Sequence, residues 1–245
     1  MIDVRPMTQR DLGDIVAIHR AAFPNFFLSF LGPRFLRVFY GFIASEGIAI
    51  VALADGKLAG FVAGVLEPRQ FYRRLMRRRF APLVFAITPI VLRHPSTLAR
   101  VVRRARQRMS GAPEERRPDP TGKPEERRPD PVGNHVENRG DRRPDPIGDR
   151  RSGPIGNHEP NGAELMSLAV DPGHEHRGVG RALVAAFAVR VAASGEGRLW
   201  LTTDAADNDR VIHFYDSLGF SRSREFVTAE GRAMVELTRD AELQS

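Results

Sequence analysis

The chain has 245 residues, 42% of them apolar and 27% charged, with a formal net charge of +7 and no cysteine. This is enough apolar material for one substantial core, and the missing thiols exclude disulfides, thiolate metal sites and a covalent cysteine intermediate. The basic residues are 35 Arg against 2 Lys, and residues 69–108 hold 12 Arg and no acid, so that without this stretch +7 becomes −5.

In chain order, Ile2 to Arg5 reads as a first strand, and Thr8-x-x-Asp11 as a helix start of capping-box type with Asp at the third position. Leu12, Ile15, Val16, His19 and Phe23 share a helical face, with His19 expected at its rim. Leu31, Phe35, Leu36, Phe39, Phe42 and Ile43 repeat the pattern in a second helix closed by Gly47. The runs 48–53 and 58–66 flank Asp55-Gly56, a strong hairpin signal.

The middle of the chain divides in two. Residues 67–110 form a basic, helix-compatible insert in which FYRRLMRRRF and LARVVRRARQRM flank the apolar FAPLVFAITPIVL, with prolines at 82 and 89. This reads as a hairpin lying on an anionic membrane surface or over a ligand site, or as an apolar face packed on the domain with its arginines in water. Residues 111–162 repeat EERRPDP, RRPDP and GNH with almost no large apolar residue. They are expected to be a disordered linker without catalytic duty. The opening MIDVRPMTQRD lacks an apolar signal core and no apolar run reaches the ~18 residues of a membrane span. A cytoplasmic location is therefore expected, with the basic insert able to hold the protein at the inner membrane face.

Residues 163–184, AELMSLAVDPGHEHRGVGRALV, carry the chemistry. An apolar run suited to a strand buried on both faces ends at Asp171-Pro172-Gly173, and a helical period opens at Val179, Leu183, Phe187 and Val191. Two glycines at a helix start leave backbone N–H groups free at the positive end of the dipole, where phosphate binds. The remaining pattern is a strand at 198–203, a helix at 208–217 and two short strands at 219–227 and 233–238.

These residues resemble the GNAT family of acetyl-CoA-dependent N-acetyltransferases, whose pyrophosphate loop is Gln/Arg-x-x-Gly-x-Gly/Ala after a strand ending much like Ala169-Val170-Asp171-Pro172. Here the loop is Glu175-His176-Arg177-Gly178-Val179-Gly180, with Glu175 departing from the pattern and Arg177 or Arg181 expected to compensate its charge. A second block, NDRVIHFYDSLGF at 208–220, matches as well. The resemblance covers roughly residues 1–66 and 163–240. It implies an α/β (α+β) fold with a mixed central sheet flanked by helices, interrupted by the helical insert and the repeat linker.

The resemblance further implies direct acetyl transfer from acetyl-CoA to a primary amine in a ternary complex, without a metal. The coenzyme would lie on the strand at Leu168, Ala169 and Val170, on the loop from Glu175 to Arg181, and near Asn208 and Tyr215. Asn208 could equally cap the helix after it. Tyr215 would protonate the departing thiolate, and Glu164, eleven residues before Glu175, would deprotonate the amine through water as in the histone-acetylating branch; Asp204 and Asp207 are the fallback bases. Thr202 stands where peptide-N-terminus acetylating members carry a glutamate. His174, His176 and His213 lack a metal-site spacing. An anionic or membrane-proximal acceptor such as an amino sugar suits the basic insert. The reading from another class is a non-catalytic acyl-CoA-binding or membrane-associated scaffold, for which Glu175 and the insert speak; a nucleic-acid binder, with only Phe71, Tyr72 and Phe80 for stacking, stands third.

Overall fold

The computed structural model describes residues 1–24, 27–93, 161–228 and 231–241. Its elements are strand β1 (Ile2–Pro6), a 3-10 turn (Gln9–Asp11), helices α1 (Leu12–Ala22), α2 (Phe27–Phe30) and α3 (Gly32–Glu46), and strands β2 (Ile48–Ala54) and β3 (Lys57–Val65). Helix α4 (Pro68–Arg93) follows, then β4 (Ala163–Val170), a 3-10 turn (Pro172–His174), α5 (Val179–Ala193), β5 (Arg198–Asp204), α6 (Asp209–Asp216), β6 (Ser221–Val227) and β7 (Ala233–Asp240). The strands form one sheet in the order β1-β2-β3-β4-β5-β7-β6. Every pairing is antiparallel except that of β4 with β5.

Each face of this sheet has its own core. Under α5, Leu183, Val184, Phe187 and Val191 pack on Ile50, Val62, Leu165, Leu199, Leu201, Val235 and Leu237. On the opposite face, α1 and α3 place Ile15, Val16, Leu36, Phe39, Tyr40 and Ile43 over Val51, Phe61, Ala63 and Val65. The β2–β3 turn takes positive φ at Asp55 (51°) and Gly56 (76°), as the Asp-Gly signal requires of a tight hairpin.

At the first helix start Asp11 accepts from the Thr8 N–H (2.7 Å) and Thr8 Oγ1 (2.8 Å), and Arg5 grips both of its oxygens (2.7 and 2.8 Å). The Arg5 hydrogen bonds, joined by those from Thr8, hold the Asp11 carboxyl down at about 2 despite its burial.

Two expectations need correction. His19 is not on the rim: it is 1% exposed, and its Nδ1 lies 2.7 Å from the Tyr40 hydroxyl. The stretch expected to form a hairpin is, from Pro68 to Arg93, one continuous helix, α4, that runs through Pro82 and Pro89. A proline removes one i→i−4 bond, but Phe71, Leu75, Leu83 and Ala86 stay buried at helical spacing on both sides of Pro82, and Arg74 and Arg78 reach Glu46 at the end of α3. The expected second arm and the repeats, residues 94–160, lie outside the described residues.

Candidate functional site

Strands β4 and β5 pair at two positions only, Ala163 with Leu199 and Glu164 with Trp200, after which they part. The gap exposes the edge of β4. Asp171 N–H donates to Ala59 O (2.8 Å), and hydrogen-bonded pairs alternate along an antiparallel ladder. With Ala169 opposite Phe61 and Ser167 opposite Ala63, those residues direct their backbone groups to β3. The N–H and C=O of Leu168 and Val170 are therefore turned into the gap, a peptide edge ready to bind an extended ligand. Ala169, grouped with them in the sequence, spends its backbone on β3.

The mouth of the gap is the turn into α5. Asp171 Oδ1 accepts from Gly173 N–H (2.9 Å), and His174 Nδ1 lies 3.1 Å from the same oxygen, which fixes the start of the loop. His176 (φ 60°) and Gly178 (φ 82°) adopt left-handed backbone, and Gly178 is the N-cap of α5 without any side chain capping the helix. Conformation favours glycine at 178, and a Cβ on Gly180 would stand 3.2 Å from the Phe214 ring, which would have to give by a few tenths of an ångström. The first N–H groups of a 15-residue helix thus lie open beside the exposed Arg177 and Arg181. This cradle fits a diphosphate.

Glu175 is compensated by neither arginine named in the sequence reading. Its Oε2 accepts from Arg210 (3.2 Å), whose guanidinium also meets His176 Nε2 (2.9 Å), while Arg181 reaches Ser217 (3.3 Å to Oγ, 3.4 Å to O). Position 175 therefore brings no unpaired negative charge to the loop. Asn208 does not cap α6 through its side chain. Its Nδ2 instead donates to Thr203 Oγ1 (2.7 Å) and Asp204 O (3.0 Å), tying α6 to the end of β5.

Tyr215 is 6% exposed, its ring held between Phe214 (5.1 Å) and Phe220 (5.3 Å). Its hydroxyl takes no hydrogen bond from any described residue, and burial pushes its pKa up. Glu164 is 8% exposed. It pairs in register with Val65 on one side and Trp200 on the other, so it shares the face covered by α1 and α3. Between Leu165 and Ser167 the β4 ladder gains one residue, Met166. This bulge lets Glu164, Ser167 and Ala169 share that face. Ser167 accepts from the Tyr40 hydroxyl (3.0 Å), and the chain Ser167–Tyr40–His19 ends in a buried His19 Nε2 without partner. Burial holds His19 at about 4, hence neutral near pH 7. Asp204 is bound by Arg232 through both oxygens (2.7 Å each), which leaves it poorly placed as a base. Phe71, proposed for base stacking, is 3% exposed and packs under α4. Among the described residues no three His, Cys, Asp or Glu side chains cluster to hold a metal, and no helix is long and apolar enough to cross a membrane.

A mixed sheet opened between its parallel pair, with a glycine-built cradle at the mouth, is an α/β fold with room for an extended phosphate-bearing ligand. The model of the acetyltransferase (GNAT) family matches residues 102–220 of the chain. Over 74 residues it is 36% identical to the [ribosomal protein bS18]-alanine N-acetyltransferase of Escherichia coli (strain K12), a match that takes in 29% of this chain and spans about half, 49%, of that relative. The crystal structure of the Escherichia coli ribosomal-protein-S18-alanine N-acetyltransferase superposes with a TM-score of 0.50 at 15% identity, covering 100% of this chain and 97% of that one. That of yncA from Salmonella typhimurium, with its cofactor acetyl-CoA, gives 0.50 at 11% identity, covering 100% and 96%. At these identities the solved structures speak for the fold.

Proposed function

We propose that the protein is an N-acetyltransferase that moves an acetyl group from acetyl-CoA directly to a primary amine within a ternary complex. The observation that carries this reading is the parted β4–β5 edge, with Gly178 and Gly180 at its mouth and the unbonded Tyr215 hydroxyl in the wall built by α6. Acetyl-CoA supplies an activated thioester. The chain's own residues do the rest: the Leu168 and Val170 peptide groups hold the extended arm, the α5 N-terminus with Arg177 and Arg181 takes the diphosphate, and a strand N–H polarises the carbonyl. Tyr215, kept protonated by burial, donates its proton to the departing sulfur, and Glu164 receives the amine proton through water.

Acetyl-CoA thioester consumption against a panel of primary amines tests this reading, with turnover expected. Glu164→Gln should remove the pH dependence on the limb where the amine is deprotonated. Coenzyme binding without turnover on any amine would favour the non-catalytic scaffold, although the pairing of Glu175 with Arg210 removes one of its supports.

A second reading concerns α4. Phe80 (61% exposed) and Phe85 (73%) stand beside Arg77, Arg78 and Arg79, apolar and cationic side chains together as in helices that lie on anionic lipid. Sedimentation with anionic and neutral vesicles tests it: salt-sensitive binding to the anionic ones alone is expected, and equal binding to both removes the reading.

A further inference from the structure

Strand β7 carries a carboxylate that the reaction described above does not use. Val235 and Leu237 point under α5, so the alternation of the strand sends Glu236 to the opposite face. The register places Glu236 beside Thr202 and Thr238 beside Trp200, and Trp200 beside Glu164. Glu164 and Glu236 therefore lie on one face, two strands and one pleat apart, about 12 Å between Cα atoms from ordinary sheet spacings. Glu236 stands on the side where β4 and β5 separate.

Its surroundings are unusual for a buried acid. Glu236 is 3% exposed, and Ser223 Oγ donates to its Oε1 at 2.5 Å. Among the described residues its Oε2 receives no hydrogen bond and no cation forms an ion pair with it, in a chain with 35 Arg. The nearest candidate, its cross-strand neighbour Arg224, instead lays its guanidinium over the Phe226 ring (4.9 Å), with its buried Nε unpartnered. A buried carboxylate without a cation is costly, and an arriving positive charge offsets that cost. The helices α1 and α3 pack on this face mainly over β2, β3 and β4.

We infer that Glu236 is a specificity-determining residue of the acceptor site, binding a second ammonium group on an acceptor whose first amine is presented at Glu164. The inference rests on the acetyl-transfer reading for the role of Glu164. The acceptor class is then a small molecule with two amines spaced along a flexible chain. An anionic amino sugar does not suit this face.

The test is calorimetric titration of the full chain, saturated with coenzyme A, with 1,5-diaminopentane and with pentylamine, two probes that differ by one ammonium group. The diamine is expected to bind the wild type at least tenfold more tightly. Glu236→Gln should bring the diamine to the monoamine's affinity, leaving the affinity for pentylamine and for coenzyme A unchanged, and Glu236→Asp should restore part of the preference. Equal affinities for the two amines in the wild type overturn the inference, and this arm needs no variant to fold. A variant that loses thermal stability but keeps the preference also overturns it and makes Glu236 a structural partner of Ser223. Failure to bind coenzyme A would count against the acetyl-transfer reading alone, since titration without the coenzyme still reads the amine preference.

Discussion

Under α5 the sheet is sealed by an apolar core that runs from β2 to β7, whereas the opposite face is closed by α1 and α3 over β2–β4 and bears Trp200, Thr202 and Glu236 beyond them. The sealed side positions the glycine loop at the start of α5 through packing, with Gly180 close to Phe214. The other side holds buried polar groups, Glu164, Ser167, His19 and Glu236, whose burial costs stability unless their partners offset it. One strand, β4, serves both sides: the peptide groups of Leu168 and Val170 face the gap, and its bulge at Met166 puts Glu164, Ser167 and Ala169 on the face of α1 and α3.

The sharpest way to break this comparison is on the coenzyme side. Gly180→Leu should abolish coenzyme A binding, because its side chain would enter the cradle and press on Phe214. At a hundredfold excess over Kd the wild type should gain about 2.7 kcal/mol, a thermal shift of about 5 to 11 °C, and the variant none. Tyr215→Phe should come next, lowering kcat about 10²-fold while coenzyme affinity holds; an unchanged kcat would return Tyr215 to a packing role.

The polar face should reveal itself in acid. The unfolded chain protonates His19 near its ordinary value of 6.5, the folded chain only near 4, so stability present above pH 6.5 is lost as pH falls to 4. The loss is about 3 kcal/mol, and denaturant titrations at pH 7, 5 and 4 should show it in the wild type but not in His19→Phe. Asp11 acts in a lower window. Its depressed value means that its stabilisation is intact above the ordinary carboxylate range and lost as pH falls toward 2. Because Arg5 is 37% exposed and solvent-screened, about 1 to 2 kcal/mol is expected, absent in Asp11→Asn.

What the sequence showed and what it hid follow the same division. The order of strands and helices, the Asp55-Gly56 turn and the cradle at 175–180 are local patterns whose meaning lies within a few residues. His19 falls on the apolar face of α1 with Leu12, Ile15 and Val16, but its partner Tyr40 is on another helix, and only that bond reveals a buried histidine. The Glu175–Arg210 pair spans 35 residues. Glu236 sits in AMVELTRD where alternation suggests a solvated face, and its burial becomes visible only once β7 is set beside β5. The continuous α4 was hidden for a related reason: a proline removes one local hydrogen bond, whereas the buried face that runs past Pro82 is set by distant partners.

The single tryptophan of the chain, Trp200, lies where β4 and β5 cease to pair, its indole Nε1 donating to Gly162 O (3.1 Å) and its Cα in register with Glu164. Excited beyond the absorption of the three tyrosines, its fluorescence has no other tryptophan to compete with and comes from the point where the two strands part. Any occupant that widens or dries this point will change the colour and intensity of the emission, so ligand entry can be followed in real time in the unlabelled protein.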